Sequence, residues 1–356
     1  MLTIEMLPAN YGDCLWIEYG DPGQPRRILV DCGLQAGYRA VAERLRERPD
    51  ISFELFVMTH IDADHIAGGI NLLRDFQPER FRDVWFNGHD HLPLPEDTLG
   101  VLQAEKFSAR LVERGFPWNR RWDGKAVMVP DEGPLPVIEL PDGMKLTLLS
   151  PTRERLADLR RVWDEELERL ELDPVTSLDR LEERPDLQPD TLGPARIDVE
   201  ALAETPYKAD RGEANGSSIA LLAEHDGKSL LLAGDAFAPL LETTVSRLLQ
   251  ERDRESLRLD AFKISHHGGR GNTSPGLLGL VRSEHFLFST NGSRYHHPHR
   301  ETIARILKPR RDVRLHFNYR SDENEIWDDS DLQGDWSYRA CFPENGAQGY
   351  KLTLAP

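Results

Sequence analysis

The sequence predicts an α/β protein, and two patterns support this prediction. Short apolar runs recur along the chain, and several of them end at an aspartate or a histidine close to glycine. Such runs are typical of strands buried on both faces of a sheet. A stretch from residue 153 onward carries charges of both signs, with apolar residues every three or four positions, and this indicates an amphipathic helix.

The predicted strands lead, in chain order, to candidate functional residues. They run into Asp31, His60, Asp235, the pair His266-His267 and the loop 291–299. Functional groups gather where buried strands give way to loops, so we expect these residues to meet at one rim. Taken singly, Asp31 and Asp235 are also explained as turn residues, because aspartate near glycine is common in turns.

The densest of these sites is the segment 59–69, which reads THIDADHIAGG. His60 and Asp62 are two residues apart and project to the same side of an extended segment, so they could share one ion. Asp64 and His65 come just before a predicted helix and would face a neighbouring position. Imidazole and carboxylate ligands in this mixture suit a pair of divalent metals. A plain helix start with Asp64 as the N-cap would leave the other three residues unexplained.

His266 and His267 follow the apolar run 261–265 directly. Adjacent side chains on an extended strand face opposite ways, so one of the two is expected to reach a shared metal. We expect His267 to be the ligand and His266 to face the substrate or a hydrogen-bond partner.

With these residues assembled, the chain resembles a metallo-β-lactamase-fold hydrolase. More narrowly, it is similar to the branch that contains the hydrolase domain of the DNA-uptake protein ComEC. The motifs that carry the resemblance are, in order, Gly12-Asp13, LVDCG at 29–33, THIDADHIAGG at 59–69, NGSS at 215–218, LAGD at 232–235, KISHHG at 263–268 and NGSRYHHPH at 291–299. An ordered series of motifs is far more specific than any one of them.

The resemblance implies a four-layered αββα sandwich with helical and loop insertions, and two divalent metals, Zn or Mn, at one edge. Carried over residue by residue, it implies that His60 and Asp62 bind one ion, that Asp64, His65 and His267 bind the other, and that Asp235 bridges the two. We expect catalytic roles for Asp64, His266 and His297. Support of the ligands or contact with the substrate is expected from Asp13, Asp31, Asn215 and Asn291. Two positions depart from the common pattern. Asp62 stands where most members have histidine, and the ComEC-type branch shares this aspartate. Asn215 lies where many members have another histidine ligand.

The implied activity is hydrolysis by a metal-activated hydroxide, with a phosphodiester or nucleotide as substrate, so we expect a phosphodiesterase or nuclease. Two alternatives stay open. The chain could cleave another ester, such as a lactone, a thioester or a phosphocholine ester. It could instead be a partner-dependent subunit of a multi-protein system that binds a protein through its acidic insertion.

Composition limits these functions and the compartment. The formal net charge of −17 opposes broad, sequence-independent binding to duplex DNA. Three cysteines, no apolar run long enough to span a membrane and no secretory signal lead us to expect a cytoplasmic protein without membrane contact.

The domain organisation follows from where the motifs lie. We expect one domain over residues 1–356, with a variable region at about 86–212. Within it, 153–212 is a charged helical insertion whose later part, 174–212, is expected to form a mobile loop or lid. Residues 331–356 are expected to be a C-terminal extension.

Overall fold

The structure is a computed structural model that describes residues 1–92, 102–172, 197–344 and 346–354. Most of the segment predicted as a loop or lid lies outside the described residues. The described strands form two sheets.

The first sheet has six strands in the order β14-β1-β2-β3-β4-β5. Strands β1 to β3 are antiparallel neighbours, while β3, β4 and β5 run parallel. The bounds are β1 Leu2–Met6, β2 Leu15–Tyr19, β3 Arg26–Val30, β4 Leu55–Val57, β5 Val84–Trp85 and β14 Tyr350–Leu354.

The second sheet has eight strands in the order β13-β12-β11-β10-β9-β8-β7-β6. Strands β9 to β13 are parallel, and β6 to β9 are antiparallel neighbours. The bounds are β6 Val137–Glu139, β7 Lys145–Ser150, β8 Ala220–His225, β9 Lys228–Leu232, β10 Leu257–Lys263, β11 Val281–Phe288, β12 Val313–Phe317 and β13 Tyr338–Cys341.

Ten α-helices lie within the described residues. They are α1 Gln35–Glu47, α2 Ala63–Asp75, α3 Leu102–Glu113, α4 Arg153–Leu172, α5 Val199–Glu204, α6 Glu213–Gly216, α7 Ala238–Glu251, α8 Pro275–Leu280, α9 Arg300–Leu307 and α10 Ser330–Trp336. None of the helices in this part of the chain is both long and apolar enough to cross a bilayer.

The two faces of the first sheet belong to different cores. On β2, Ile17 packs in the core shared with the second sheet, whereas its neighbour Trp16 packs with helices α1 to α4. Leu29 and Phe56 repeat the outward pattern on β3 and β4. Helices α7, α8 and α9 add their apolar residues to the core of the second sheet. The result is helix, sheet, sheet, helix, and the predicted four-layered α/β sandwich is confirmed.

The variable region contributes strands to the second sheet, and the C-terminal region contributes one strand to each sheet. The variable region supplies β6 and β7, which form one end of the second sheet. Segment 331–356 supplies β13 to the second sheet and β14 to the first, next to β1. Pairing between distant strands is invisible in short-range periodicity, which explains why the sequence predicted an insertion and an extension here.

Candidate metal centre

A cluster of buried imidazoles and carboxylates lies beyond the C-terminal ends of β3, β4, β9 and β10. The Nε2 atom of His65 is 3.2 Å from Nε2 of His267 and 3.4 Å from Oδ2 of Asp235. The same Asp235 oxygen is 3.8 Å from Nε2 of His60 and 3.8 Å from Nε2 of His267. Atoms bound to one ion at about 2.1 Å in tetrahedral geometry lie about 3.4 Å apart, so these separations suit a shared cation. We call this group the cage.

The other ring nitrogens fix the tautomers of the cage histidines. His267 donates from Nδ1 to the carbonyl of Ser289 at 2.8 Å, and His65 donates from Nδ1 to Oδ2 of Asp31 at 2.7 Å. Thr59 donates its hydroxyl proton to Asp31, so the hydroxyl accepts from Nδ1 of His60 at 3.0 Å. All three Nε2 lone pairs therefore point inward, as in metal-bound histidines whose second nitrogen is held by an acceptor.

Two further carboxylates border the cage. Asp64 brings Oδ2 to 3.4 Å from Nε2 of His267 and to 3.9 Å from Nε2 of His65. Asp62 brings Oδ2 to 3.6 Å from Nε2 of His60, and its side chain is 46% exposed. His60, His65 and Asp235 could hold one ion, and Asp64, His65 and His267 could hold another.

The helix start after these ligands differs slightly from the prediction. Helix α2 begins at Ala63 with Asp62 as its N-cap, so Asp64 and His65 lie in its first turn and not before it. The Asp62 side chain makes no capping hydrogen bond. The Asp62 carboxylate therefore remains available to the cage, where it faces His60, and a helix-capping role does not explain this residue.

The electrostatics of the cage also fit a cation. Burial disfavours protonation of His65, yet the carboxylates of Asp235 and Asp31 raise its pKa well above the usual value. Burial likewise opposes protonation of His267, but Asp13 and Asp235 raise its pKa to about 9. Nε2 of His60 and Oδ1 of Asp235 are buried and find no hydrogen-bond partner among the residues that the structure describes. Buried polar atoms are rarely left unpaired, so a divalent ion fits this donor set.

The prediction for His266 and His267 rested on a wrong premise. Both residues lie in a turn after β10 and have left-handed backbones, with φ of 49° and 54°, so they do not alternate as on a strand. His267 joins the cage as expected. His266 donates from Nδ1 to Oδ1 of Asn272 at 2.9 Å, as expected for a hydrogen-bonded residue, but its Nε2 also lies 3.7 Å from Oδ2 of Asp235.

Support for the cage comes from Asp31 and from a buried ion pair. Besides His65, Asp31 accepts the backbone N–H of Thr59 at 2.8 Å. Asp13 accepts from Nζ of the fully buried Lys263 at 2.8 Å, and its other oxygen is 3.4 Å from Nδ1 of His267. Burial favours the neutral acid, but Lys263 and His267 hold the pKa of Asp13 well below its usual value.

The remaining predicted residues are placed differently. Asn215 donates to Oδ2 of Asp210 at 2.7 Å, and its Oδ1 is buried without a partner. Asn291 accepts from the backbone and hydroxyl of Ser293, so its side chain holds its own turn. His297 is buried, its Nδ1 lacks a hydrogen-bond partner, and its ring centroid lies 5.1 Å from that of His266.

Sequence reasoning missed Asp210 and Asn272. Asp210 approaches His266 at 3.3 Å and accepts from Asn272 at 2.9 Å. Asn272 also donates to the carbonyl of Asp235 at 3.2 Å, which orients its amide and hence His266. Asp210 lies among many charged residues with no strand before it, so no local pattern marks it. Asn272 is close to the HHGG stretch, and that position was an available signal.

A cavity of about 540 Å³ opens beside the cage. His266, His297 and Asp210 line it on the cage side, and Lys208, Arg270 and Arg305 line it elsewhere. Arg270 is paired with Glu301 at 3.0 Å, so Lys208 and Arg305 remain as the cations that face Asp210, and this balance favours an anionic occupant.

No protein-family model matches this chain. ComE operon protein 3 of Bacillus subtilis (strain 168) is 27% identical over 344 residues, covering 90% of this chain and 32% of that protein. The chain therefore spans about a third of the length of the curated relative that it matches.

The chain is similar to metallo-β-lactamase-fold proteins. This resemblance, inferred from the motifs, is confirmed by the two-sheet architecture, and the match to ComE operon protein 3 along most of the chain fits the ComEC-type branch.

Solved structures similar to this chain include proteins with this fold. The metallo-β-lactamase fold protein YhfI from Bacillus subtilis is 10% identical, with 99% of this chain and all of that chain covered at a TM-score of 0.42. Zn²⁺-bound PqqB from Methylobacterium extorquens is 13% identical, covers 99% and 100%, and has a TM-score of 0.41. CmlA, a diiron β-hydroxylase from Streptomyces venezuelae, is 12% identical, covers 99% and 54%, and has a TM-score of 0.44.

Proposed function

We propose that this protein is a divalent-metal-dependent hydrolase that cleaves phosphodiester bonds. The observation that carries the proposal is the cage, in which inward-facing Nε2 lone pairs meet the Asp235 carboxylate. With both Nδ1 protons donated outward, the 3.2 Å contact between His65 and His267 needs a proton or a cation between the two rings. A divalent cation satisfies both rings and the carboxylate at once.

We assign His60 and Asp62 to one ion, Asp64, His65 and His267 to a second, and Asp235 to a bridging position. Imidazoles mixed with carboxylates suit zinc or manganese. Bound divalent ions would lower the pKa of water to about 7 and stabilise the attacking and leaving oxygens of an in-line displacement.

The chain's own residues supply the remaining functions. Asp64 is positioned to orient the attacking water, because its carboxylate lies at the edge of the cage beside His267. His297, which is buried at the cavity wall, offers a ring nitrogen to a phosphoryl or leaving-group oxygen. His266 is held by Asn272 and Asp210 at the boundary of cage and cavity, where it can contact the substrate.

The cavity supports a phosphodiester over a neutral ester. Arg305 is buried and donates to the carbonyls of Arg270 and Thr205, and no carboxylate of the described part of the chain is bonded to it, so its charge stays inside the cavity wall. Lys208 is exposed at the same cavity. A neutral lactone or thioester would not use these charges.

The test is metal-dependent turnover of bis(p-nitrophenyl) phosphate. The purified chain is stripped with a chelator, reloaded with Zn²⁺ or Mn²⁺, and assayed beside a lactone, a thioester and p-nitrophenyl phosphocholine. We expect phosphodiester cleavage that is lost in Asp64→Asn and reduced in His297→Gln, while His285→Gln, a matched histidine outside the cage, leaves the rate unchanged.

Faster turnover of the lactone or thioester would show that the proposed substrate class is wrong, while the proposal of a metal-dependent hydrolase would stand. No turnover of any substrate by a chain that binds two ions, together with a co-purifying protein, would favour the partner-dependent subunit.

A further inference from the structure

Two tyrosines and an arginine form a small exposed surface, which we call the platform. The rings of Tyr11 and Tyr295 meet edge to face with centroids 5.9 Å apart. The guanidinium carbon of Arg294 lies 5.6 Å from the centre of the Tyr11 ring and 5.4 Å from that of Tyr295. Cation–π contacts at this distance hold a guanidinium in place without using its N–H groups.

The platform borders the cage. Tyr11 precedes Gly12, where a Cβ would lie 1.8 Å from the backbone oxygen of Asp64, so only glycine allows this approach. On the other side, the Tyr295 ring centroid is 5.9 Å from that of His297. Burial and the carboxylates of Asp64 and Asp62 raise the pKa of Tyr295, which places its hydroxyl within the field of these acids.

Arg294 has no acidic partner within the described residues. No carboxylate there lies within ion-pair distance of its guanidinium, which makes a long hydrogen bond of 3.5 Å to the Tyr11 hydroxyl. The side chain is half-buried, so it is not simply a solvated surface arginine. In a chain with 61 acidic residues, a preorganised guanidinium without an acidic partner favours an anion from outside.

The tyrosine rings limit the identity of that anion. Tyr295 is 43% exposed, although it lies beside a buried catalytic candidate. An exposed aromatic face next to a free guanidinium matches a planar base attached to a phosphate, because bases stack on aromatic side chains without sequence preference. The cavity with Lys208 and Arg305 lies beside His266 and His297, so this cavity and the platform both border the cage.

We propose that the platform is a nucleotide subsite, in which Arg294 binds a phosphate next to the scissile one and Tyr295 stacks on a base. This inference rests on the proposed phosphodiesterase function and names its substrate as a single-stranded nucleic acid or a short oligonucleotide. A duplex would keep its bases paired and away from Tyr295.

The test measures binding separately from turnover. The metal-loaded chain is titrated against a fluorescein-labelled trinucleotide with phosphorothioate links, which keep the charge and resist cleavage, and fluorescence anisotropy is recorded. We expect Arg294→Gln to weaken binding about 10-fold and Tyr295→Leu about 5-fold. Tyr295→Phe keeps the ring and should bind within about 2-fold of the wild type.

A matched control is Arg311→Gln. Arg311 also lies over an aromatic ring, with 5.7 Å to the centre of the Trp336 ring, but it precedes β12 at the end of the sheet opposite to the cage. This variant should bind like the wild type. An abasic trinucleotide separates stacking from charge, since Tyr295→Leu should weaken its binding less than that of the intact trinucleotide, whereas Arg294→Gln should weaken both to a similar extent.

Equal trinucleotide affinity in the wild type, Arg294→Gln and Tyr295→Leu would overturn the subsite, as would a wild type that does not bind the trinucleotide. The proposed function fails in a different way, through absence of bis(p-nitrophenyl) phosphate cleavage. If the wild type cleaves this compound and the platform variants bind the trinucleotide as the wild type does, the proposed function stands and the proposed subsite is wrong.

Discussion

Two groups of buried histidines in this molecule behave in opposite ways. In the cage, His65 and His267 face each other through Nε2 at 3.2 Å, and carboxylates raise the pKa of both. On β11 and β12, Nδ1 of His285 lies 2.8 Å from Nε2 of His316, a contact that one proton satisfies between two neutral rings. Burial, His285 and Arg314 lower the pKa of His316 to about 3.

The difference shows what makes a histidine cluster a candidate metal site. Residue type is the same in both groups, and the β11–β12 pair combines a buried His316 with a half-buried His285. In the cage the Nδ1 protons are already donated to fixed acceptors, so the Nε2 atoms lack a proton to share, and acids surround them. In the β11–β12 pair, one ring donates and the other accepts, and burial and Arg314 lower the pKa of both rings, so the positive charge of Arg314 would oppose a metal ion there.

The strongest test of this contrast removes the charge that supports the cage. Lys263→Met leaves the Asp13 carboxylate buried without its partner, so we expect a loss of about 3–5 kcal/mol in the free energy of unfolding. Urea denaturation measures it. The double variant Asp13→Asn with Lys263→Met should recover much of that loss, and a single variant as stable as the wild type would show that the ion pair is dispensable.

Removing the central carboxylate tests the cage itself. Asp235→Asn takes away the oxygen that faces all three imidazoles, so we expect phosphodiester turnover to fall by at least about 100-fold and bound metal to decrease. Initial rates and elemental analysis of the purified variant measure both effects. Asp260→Asn changes a carboxylate on β10 that bonds Ser229, away from the cage, and should retain rate and metal. An active, metal-loaded Asp235→Asn protein would contradict the assignment.

Metal binding at the cage should stabilise the folded chain, and this stabilisation should not depend on the His285–His316 pair. At a free metal concentration 100 times its Kd, binding adds about 2.7 kcal/mol to the stability of the folded chain. Thermal unfolding with Zn²⁺, with Mn²⁺ and with chelator measures the shift. We expect it in the wild type and in His316→Gln and not in His65→Gln. A shift of equal size in His65→Gln would place the bound metal elsewhere.

The pH-dependent effect of the pair on β11 and β12 is the smallest at neutral pH, where it is absent, and it develops only on acidification. The pKa of His316 is about 3 in the folded chain, against 6.5 for an ordinary histidine. The unfolded chain therefore binds the proton more readily, and the stability from neutral His316 is present above pH 6.5 and lost as the pH falls toward 3. The slope is at most about 1.4 kcal/mol per pH unit. Urea denaturation between pH 7 and 4 should show a shallower loss in His316→Gln, and identical profiles would exclude this burial effect.

Much of the candidate site could be predicted because several of its candidate ligands lie close together in the sequence. The segment 59–69 places four candidate ligands of two types at a strand end within six positions, and strand geometry alone brings His60 and Asp62 to one side. The turn at His266 could not be predicted in this way. Its left-handed backbone brings both histidines toward Asp235, and no period-2 or period-3.6 pattern encodes such a conformation.

The sequence by itself determined the buried strands, the polar residues at their ends and the α/β class, because these depend on side-chain types at short spacing. Only the tertiary structure decided which of those ends meet. Asp235 and His267 reach His60 and His65 across about 170 to 200 residues of chain, because two sheets pack through a shared apolar core with their strand ends at one edge. Lys263, Asp210 and the platform acquire their roles from the same packing, since each acts on a partner that is remote in the sequence.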